Sequence, residues 1–330
     1  MRSLVGVIGV IFLSFFAGCA LDPVKDRSER REVEETSVSF QSSLDKTTLN
    51  GSLVTVANPK GYVLFFVGSG KTDRDETAPA EATYSGKQEK LFKSLAYRFA
   101  AEGFGSLRYD KRGVINDQRE VDRKVWITAD RDHLIADATD AAKFLMEKTG
   151  VPVSNLIFLG HSEGTVIAVE TAINLKTPIR GFILMGAMAR SMKDMLHYQI
   201  VESPHAANSD ERAKSESEYN EALKLIRESR EDWAPDGKPM NWYRQFLKAP
   251  SNESRIVLVK TKIAIFQGQD DFNTPIDELD RFKRIRLENL TTKTYPGLGH
   301  SFSPNKQGKP TYGPMDPKVI QDIVDTMNRF

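Results

Sequence analysis

Gly160-His161-Ser162-Glu163-Gly164 is the segment whose residue types and spacing could do chemistry. The apolar run Leu156-Ile157-Phe158-Leu159 feeds into it, and a helical pattern through Thr165, Val166, Ile167 and Ala168 follows at once. A Gly-x-Ser-x-Gly turn between a strand and a helix is a nucleophile elbow. The turn is so tight that the serine is held in strained backbone geometry with its hydroxyl in the open. Glycines are needed two residues either side, where a Cβ would collide with the neighbouring strand or helix. The helix behind Ser162 offers unpaired N–H groups and the positive end of its dipole, both suited to a developing oxyanion.

A serine nucleophile needs a base, and the base needs an orienting carboxylate. Behind an elbow of this kind the chain order is serine, acid, histidine. The strand-like run Ile263-Ala264-Ile265-Phe266 leads into Gly268-Gln269-Asp270-Asp271-Phe272-Asn273-Thr274-Pro275. The side chains of Asp270 and Asp271 diverge, so only one can meet an imidazole. Asp271 has the spacing of a G-x-x-D-x-x-x-P loop and is the expected acid, with Asp270 as the alternative. Lys293-Thr294-Tyr295 leads into Pro296-Gly297-Leu298-Gly299-His300, and His300 is the expected base. Of the other histidines, His133 precedes the elbow, His161 adjoins the serine and points away from it, and His197 and His205 lie in a later insertion.

An oxyanion hole needs two backbone donors. One is expected from Glu163, directly after the nucleophile. The other is expected from Ser69 in the turn Gly68-Ser69-Gly70-Lys71, where glycines allow close approach to a substrate. This turn lacks the G-x-x-x-x-G-K-[ST] spacing of a phosphate loop.

The elements that must position these groups alternate. Val38 to Val56 reads as a hairpin with Asn50-Gly51 at its turn. Tyr62 to Val67 is a continuous apolar strand, as a sheet covered on both faces requires. Helical spacing follows over Gln88–Glu102, a strand over Phe104–Tyr109, a helix over Ala129–Lys148 and a strand over Phe182–Gly186. Residues 188 to about 250 break the rhythm with a charged, helical insertion. Its aromatics, Trp233, Trp242 and Tyr243, join Gly68 and His161 as candidates to line a substrate pocket. The alternation resumes and ends in a helix over Pro317–Phe330. The expected architecture is α/β: a mostly parallel sheet with helices on both faces, an antiparallel N-terminal hairpin and a cap over the strands' C-terminal edge, where open α/β sheets bind ligands.

Composition bounds the partners. The 330 residues carry 46 basic and 45 acidic side chains, a net charge of +1, which gives no reason to expect nucleic acid. The sole cysteine is Cys19, at the end of a short basic start, an apolar run from Leu4 to Phe16, and Ala17-Gly18. Phe16-Ala17-Gly18-Cys19 resembles the lipobox of bacterial lipoproteins. That implies a signal peptide over residues 1–18, a lipidated Cys19, a charged tether over 19–36 and a domain over 37–330. Ala20, in place of an aspartate, leans towards the outer membrane, facing the periplasm.

Three motifs in register carry a wider resemblance: Val67-Gly68-Ser69-Gly70 with Asp73-Arg74-Asp75, Tyr109-Asp110-Lys111-Arg112-Gly113, and the elbow itself. The chain is similar to a branch of bacterial α/β-hydrolases that carries GSGPxDRDG, YDKRG and GHSEG in this order, over roughly residues 60 to 305. The resemblance implies an α/β-hydrolase fold, a serine esterase with serine aminopeptidase-like and dienelactone hydrolase-like relatives, and no cofactor. It favours a short-to-medium acyl ester as substrate, with aminopeptidase, thioesterase or acyltransferase activity on the same three residues as the alternative, and a non-catalytic membrane-tethered binding protein as a distant one. Asp73, Arg74, Asp110 and Arg112 are expected to brace loops through ion pairs. Lys71 and Glu76 stand where proline and glycine are common, so the pocket rim departs from the pattern while the serine, acid and histidine do not.

Overall fold

The structure, a computed structural model, describes residues 32–115, 117, 119–202, 209–305 and 312–330. The signal segment, Cys19, His205 and all but the last five residues of the expected tether lie outside the described residues. One sheet holds eight strands: β1 (Val33–Gln41), β2 (Thr48–Val56), β3 (Tyr62–Phe66), β4 (Gly105–Tyr109), β5 (Leu156–His161), β6 (Gly181–Met185), β7 (Lys262–Gly268) and β8 (Leu290–Tyr295). Their spatial order is β1-β2-β4-β3-β5-β6-β7-β8. β2 is antiparallel to β1 and to β4, and every other pairing is parallel.

β3 and β6 are apolar because both faces are covered, while the equally buried β4 carries Ser106 and Arg108. In β3, Tyr62, Leu64 and Phe66 enter one hydrophobic layer while Val63 and Phe65 enter the other. β5 splits the same way, Leu156 and Phe158 against Ile157 and Leu159. The first layer is closed by α2 (Arg131–Thr149) and α3 (Glu163–Leu175), the second by α1 (Leu91–Ala101). One helical turn, Arg123–Trp126, precedes α2, and the remaining α-helices among the described residues are α4 (Met192–His197), α5 (Ser209–Glu228), α6 (Met240–Phe246), α7 (Asn252–Ile256), α8 (Asp277–Arg284) and α9 (Pro317–Arg329). α9 joins α1 through Val319, Ile323, Val324 and Met327, and α8 joins the first layer through Leu279 and Phe282. The insertion between β6 and β7 carries α4 to α7, with a π-helical turn at Tyr198–Glu202.

Two expectations need correction. Asn50-Gly51 is not the hairpin turn; it lies inside β2, paired with Ser39 and Val38. Gly51 is there because β4 runs so close that a Cβ would sit 2.7 Å from the Arg108 carbonyl oxygen. The turn is Ser42 to Thr47, closed by a bond from Ser42 N–H to the Thr47 carbonyl (2.9 Å), with Lys46 left-handed at φ 62°. The sheet also begins inside the span expected to be a tether, because β1 starts at Val33. Glu35, within that span, is bonded by the buried Arg108 guanidinium and by the Tyr97 hydroxyl.

The Asp110–Gly113 loop is fixed by charge, as expected. Arg74 donates its backbone N–H and its guanidinium to Asp110. Arg112, with no exposed side-chain surface, bonds Asp137 twice (2.8 and 2.7 Å), Asp45 at 2.9 Å and the Thr128 hydroxyl at 2.6 Å. Burial pushes the Asp137 carboxyl up, and Arg112 only partly offsets it. Arg112→Met, which strands that carboxylate, should destabilise the fold by about 3–5 kcal/mol in chemical denaturation, and Arg112→Met/Asp137→Leu should recover most of the loss. A double variant no more stable than the single one would show that the pair contributes more than mutual compensation.

Candidate active site

Three parallel strands deliver three side chains to one edge. β5 ends at the elbow, β7 leads to Asp271 and β8 leads to His300. Ser162 is left-handed, φ 55° and ψ −122°, a geometry that L-residues avoid unless the surroundings impose it. Here they do. A Cβ on Gly160 would sit 2.5 Å from the Gly164 carbonyl oxygen, and one on Gly164 would sit 2.0 Å from that of Phe66. The Ser162 N–H donates to the Met185 carbonyl at 3.0 Å, tying the elbow to β6.

The acid and base loops are laced together before their side chains meet. A Cβ on Gly268 would sit 2.4 Å from the Leu298 carbonyl oxygen, and the Asp270 N–H donates to that same oxygen at 3.0 Å. The Asp271 carboxylate accepts from His300 Nδ1 at 2.8 Å. It also accepts from the backbone N–H groups of Asn273 (2.9 Å) and Thr274 (3.0 Å), the Thr274 hydroxyl (2.7 Å) and the Gln267 amide (3.1 Å). Burial alone would push this carboxyl up; the neighbouring His300 and the Thr274 donors more than offset it and hold it below the usual carboxylate range. Asp271 therefore stays charged and fixes the His300 tautomer with its proton on Nδ1. Asp270 is exposed and makes no bond to the imidazole. On the other side, Gly186 leaves room for the ring: a Cβ there would lie 3.2 Å from His300 Cε1.

Ser162 and His300 line one cavity of about 260 Å³ with Gly68, Ser69, Glu76, His161, Glu89, Arg119, Gln199 and Tyr312. Gly68 is held at both ends, its N–H by Glu76 Oε1 (2.5 Å) and its carbonyl by Lys111 Nζ (2.6 Å). In a trans peptide the C=O and the next N–H point in opposite directions. Lys111 therefore turns the Ser69 N–H away from itself. The Glu163 N–H is the first of α3 and has no acceptor within the helix. The Glu163 side chain points the other way, buried against Lys111 Nζ (2.8 Å) and the Trp242 indole N–H (2.9 Å).

The insertion's aromatics do not line this cavity. Trp242 is buried beneath the elbow, where the one donor on its ring is engaged by Glu163. Tyr243 donates its hydroxyl to Asp236 at 2.7 Å, and Arg123 lies 4.3 Å over the Trp233 ring. Among the described residues the insertion reaches the cavity through Gln199, whose amide donates to the Asn273 carbonyl at 2.6 Å. Sequence reasoning missed Lys111, Gln267 and Thr274. Lys111 could have been found as the one cation of its motif without a partner assigned to it.

The strand order, the elbow and the acid and base loops define an α/β-hydrolase fold. The chain belongs to the Hydrolase_4 family, described as serine aminopeptidase S33, whose profile matches residues 85–306, a span that includes Ser162, Asp271 and His300. It is 27% identical over 299 residues to esterase EstD of Thermotoga maritima, covering 85% of this chain and 66% of that protein, so it spans just under two thirds of that relative's length. Solved structures share the fold at low identity. The esterase domain of a Rhodothermus marinus protein matches with a TM-score of 0.54 at 13% identity, over 90% of this chain and 98% of that one. A thermophilic esterase from Thermogutta terrifontis matches with a TM-score of 0.54 at 15% identity, over 89% and 98%.

The two aspartates make a discriminating pair. Asp271→Asn should lower kcat about 10⁴-fold, because an amide at that position favours the wrong imidazole tautomer. Asp270→Asn should leave kcat close to that of the unsubstituted protein. Steady-state hydrolysis by folded variants reads both; the reverse ranking would place the acid at Asp270.

Proposed function

We propose that this protein is a serine hydrolase of carboxylic esters that works through an acyl-enzyme. The observation that carries the reading is Ser162 and His300 on one cavity, with Asp271 2.8 Å behind His300 Nδ1. Ser162 Oγ attacks the acyl carbonyl carbon while His300 Nε2 takes its proton. The N–H groups of Ser69 and Glu163 receive the negative charge that builds on the carbonyl oxygen. The C–O bond breaks, and the alcohol leaves with the proton from His300. Water then attacks the acyl carbon, His300 again taking and returning a proton, and the acid departs from Ser162. Membership of the family and the 27% identity to an esterase support this chemistry. The modest volume and mixed lining, with Ala78, Leu91 and Tyr312 beside polar groups, favour a small acyl group over a long chain.

One observation favours aminopeptidase activity as a second reading. Glu89, a half-buried carboxylate on the cavity wall, could bind a free amine, and the family's description is that of an aminopeptidase. A fluorophosphonate probe should label the protein and fail to label Ser162→Ala, and short p-nitrophenyl esters should be hydrolysed faster than aminoacyl anilides. Absence of labelling would sink the hydrolase reading; anilide cleavage without ester cleavage would replace it with the peptidase.

We further propose that Cys19 carries a lipid that anchors the domain to the bacterial envelope, at the outer membrane facing the periplasm. The pattern of residues 1–19 supports this. Metabolic labelling with an alkyne palmitate analogue should mark the full chain and vanish in Cys19→Ala. Persistent labelling of that variant would overturn the assignment.

A further inference from the structure

His161 is the residue that neither the triad nor the oxyanion donors employ, yet its ring is buried between them. Nδ1 lies 2.7 Å from Glu76 Oε2, and Nε2 lies 3.0 Å from the backbone carbonyl oxygen of His300. A carboxylate and a carbonyl can only accept. Both ring nitrogens must therefore carry a proton for both contacts to be hydrogen bonds, and a doubly protonated imidazole is a cation. Glu76 supplies the matching charge, and both side chains are 7% exposed. The other Glu76 oxygen accepts the Gly68 N–H, and Gly68 begins the turn that presents Ser69.

The backbone at Glu76 points the same way. Its φ is 49°, a left-handed geometry usually left to glycine. Glycine is also the common residue at this place in the motif the chain resembles. A glutamate held there against that preference has its carboxylate fully employed.

We propose that Glu76 and His161 are a positioning pair, in which Glu76 keeps His161 as an imidazolium that fastens the His300 loop to the Gly68–Ser69 turn. The proposal rests on the serine hydrolase reading for its consequence in catalysis, and on geometry alone for the charge state. One carboxylate thus reaches both halves of the machinery, the oxyanion turn directly and the base loop through His161. The His161 and His300 rings lie 4.6 Å apart, so a lost tie displaces the base itself.

The groups facing His161 agree with a retained proton. Burial pushes the imidazole down, but the Glu76 charge and hydrogen bond, the His300 carbonyl and the more distant Asp271 charge more than offset it, leaving the value raised. From α1 the neighbour is the uncharged Phe92 ring. Tyr312 borders the same cavity and feels Arg119, Glu76 and Asp271. A group whose pKa rises on folding contributes fully below its ordinary value and is lost as the pH climbs through the raised one. Activity should therefore fall on the alkaline side as His161 loses its second proton.

Two substitutions separate charge from contact. In Glu76→Gln the amide oxygen can still accept from Gly68 while its NH₂ donates to a neutral His161, whose Nε2–H still reaches His300. This variant should keep most of its kcat at neutral pH and lose the alkaline limb. Glu76→Gly suits the left-handed backbone but makes neither contact, and should lower kcat about 10- to 100-fold with KM little changed, as displacement of a base does. Ring-nitrogen NMR on histidine-labelled full chain, with His161 assigned by its loss in His161→Gln, should show two ring protons in the unsubstituted protein at neutral pH and one in Glu76→Gln. A single ring proton on His161 in the unsubstituted protein, or an alkaline limb identical in Glu76→Gln, would overturn the proposal. If the unsubstituted protein hydrolyses no ester, the functional reading falls, and the NMR still decides the charge state.

Discussion

The contact between α3 and β3 governs the rest of the site. Gly164 approaches the Phe66 carbonyl so closely that a Cβ would sit at 2.0 Å, a separation no side chain tolerates. With the helix pressed that far down, the chain between β5 and α3 has one residue in which to turn, and that residue is the strained Ser162. The same approach sets the oxyanion side. Gly68 and Ser69 follow Phe66 by two and three positions, so the strand that receives Gly164 also delivers the turn facing the nucleophile. A Cβ on Gly68 would be 3.5 Å from the Ser162 Cβ.

Close packing places these backbones, but it does not orient peptide planes, and here buried charge does that. Lys111 grips the Gly68 carbonyl and the Glu163 carboxylate at once, joining the Gly68–Ser69 peptide to the side chain of the residue that follows Ser162. A buried ion pair often adds little net stability compared with apolar packing. Its use here is directional. An apolar residue at position 111 could fill the same volume and would leave the Gly68 carbonyl free to rotate, and the Ser69 N–H with it. Glu76 does for the Gly68 N–H what Lys111 does for its carbonyl, so the peptide groups on either side of Gly68 are fixed from two directions.

Much of this was legible in the sequence because the relevant signals are local. A strand buried on both faces reads as a near-continuous apolar run, and β3, β6 and β5 up to its last residue, His161, do. The elbow has a five-residue signature, and the order of serine, acid and histidine constrains the partners. What misled was local chemistry with more than one use. Asn50-Gly51 has the composition of a tight turn, but Gly51 answers a steric demand from β4, a strand more than fifty residues away in sequence. The charges of residues 32–36 resemble a solvated tether, but Glu35 meets Arg108 and Tyr97 only once the sheet is assembled. His161 read only as a neighbour of the serine and a pocket candidate, because nothing in the neighbouring sequence marks Glu76 and the His300 carbonyl as its two partners.

The insertion's aromatics misled for a different reason, and their true position bears on selectivity. Large rings near a predicted edge suggest an acyl pocket, but Trp242 lies on the buried side of the elbow, 4% exposed, against a Glu163 that is 1% exposed. There it donates one hydrogen bond and keeps water from the Lys111–Glu163 pair, which strengthens the electrostatic grip on Gly68. The insertion is thus coupled to the elbow through Glu163 more than to the cavity beside Ser162. The cavity beside Ser162 is lined instead by side chains from separate parts of the chain, Glu89, Arg119, Gln199 and Tyr312, which bring both signs of charge. The strand ends and the buried groups behind them, with Glu76 and His161 on the cavity wall, hold the serine, the histidine and the Gly68–Ser69 turn in place.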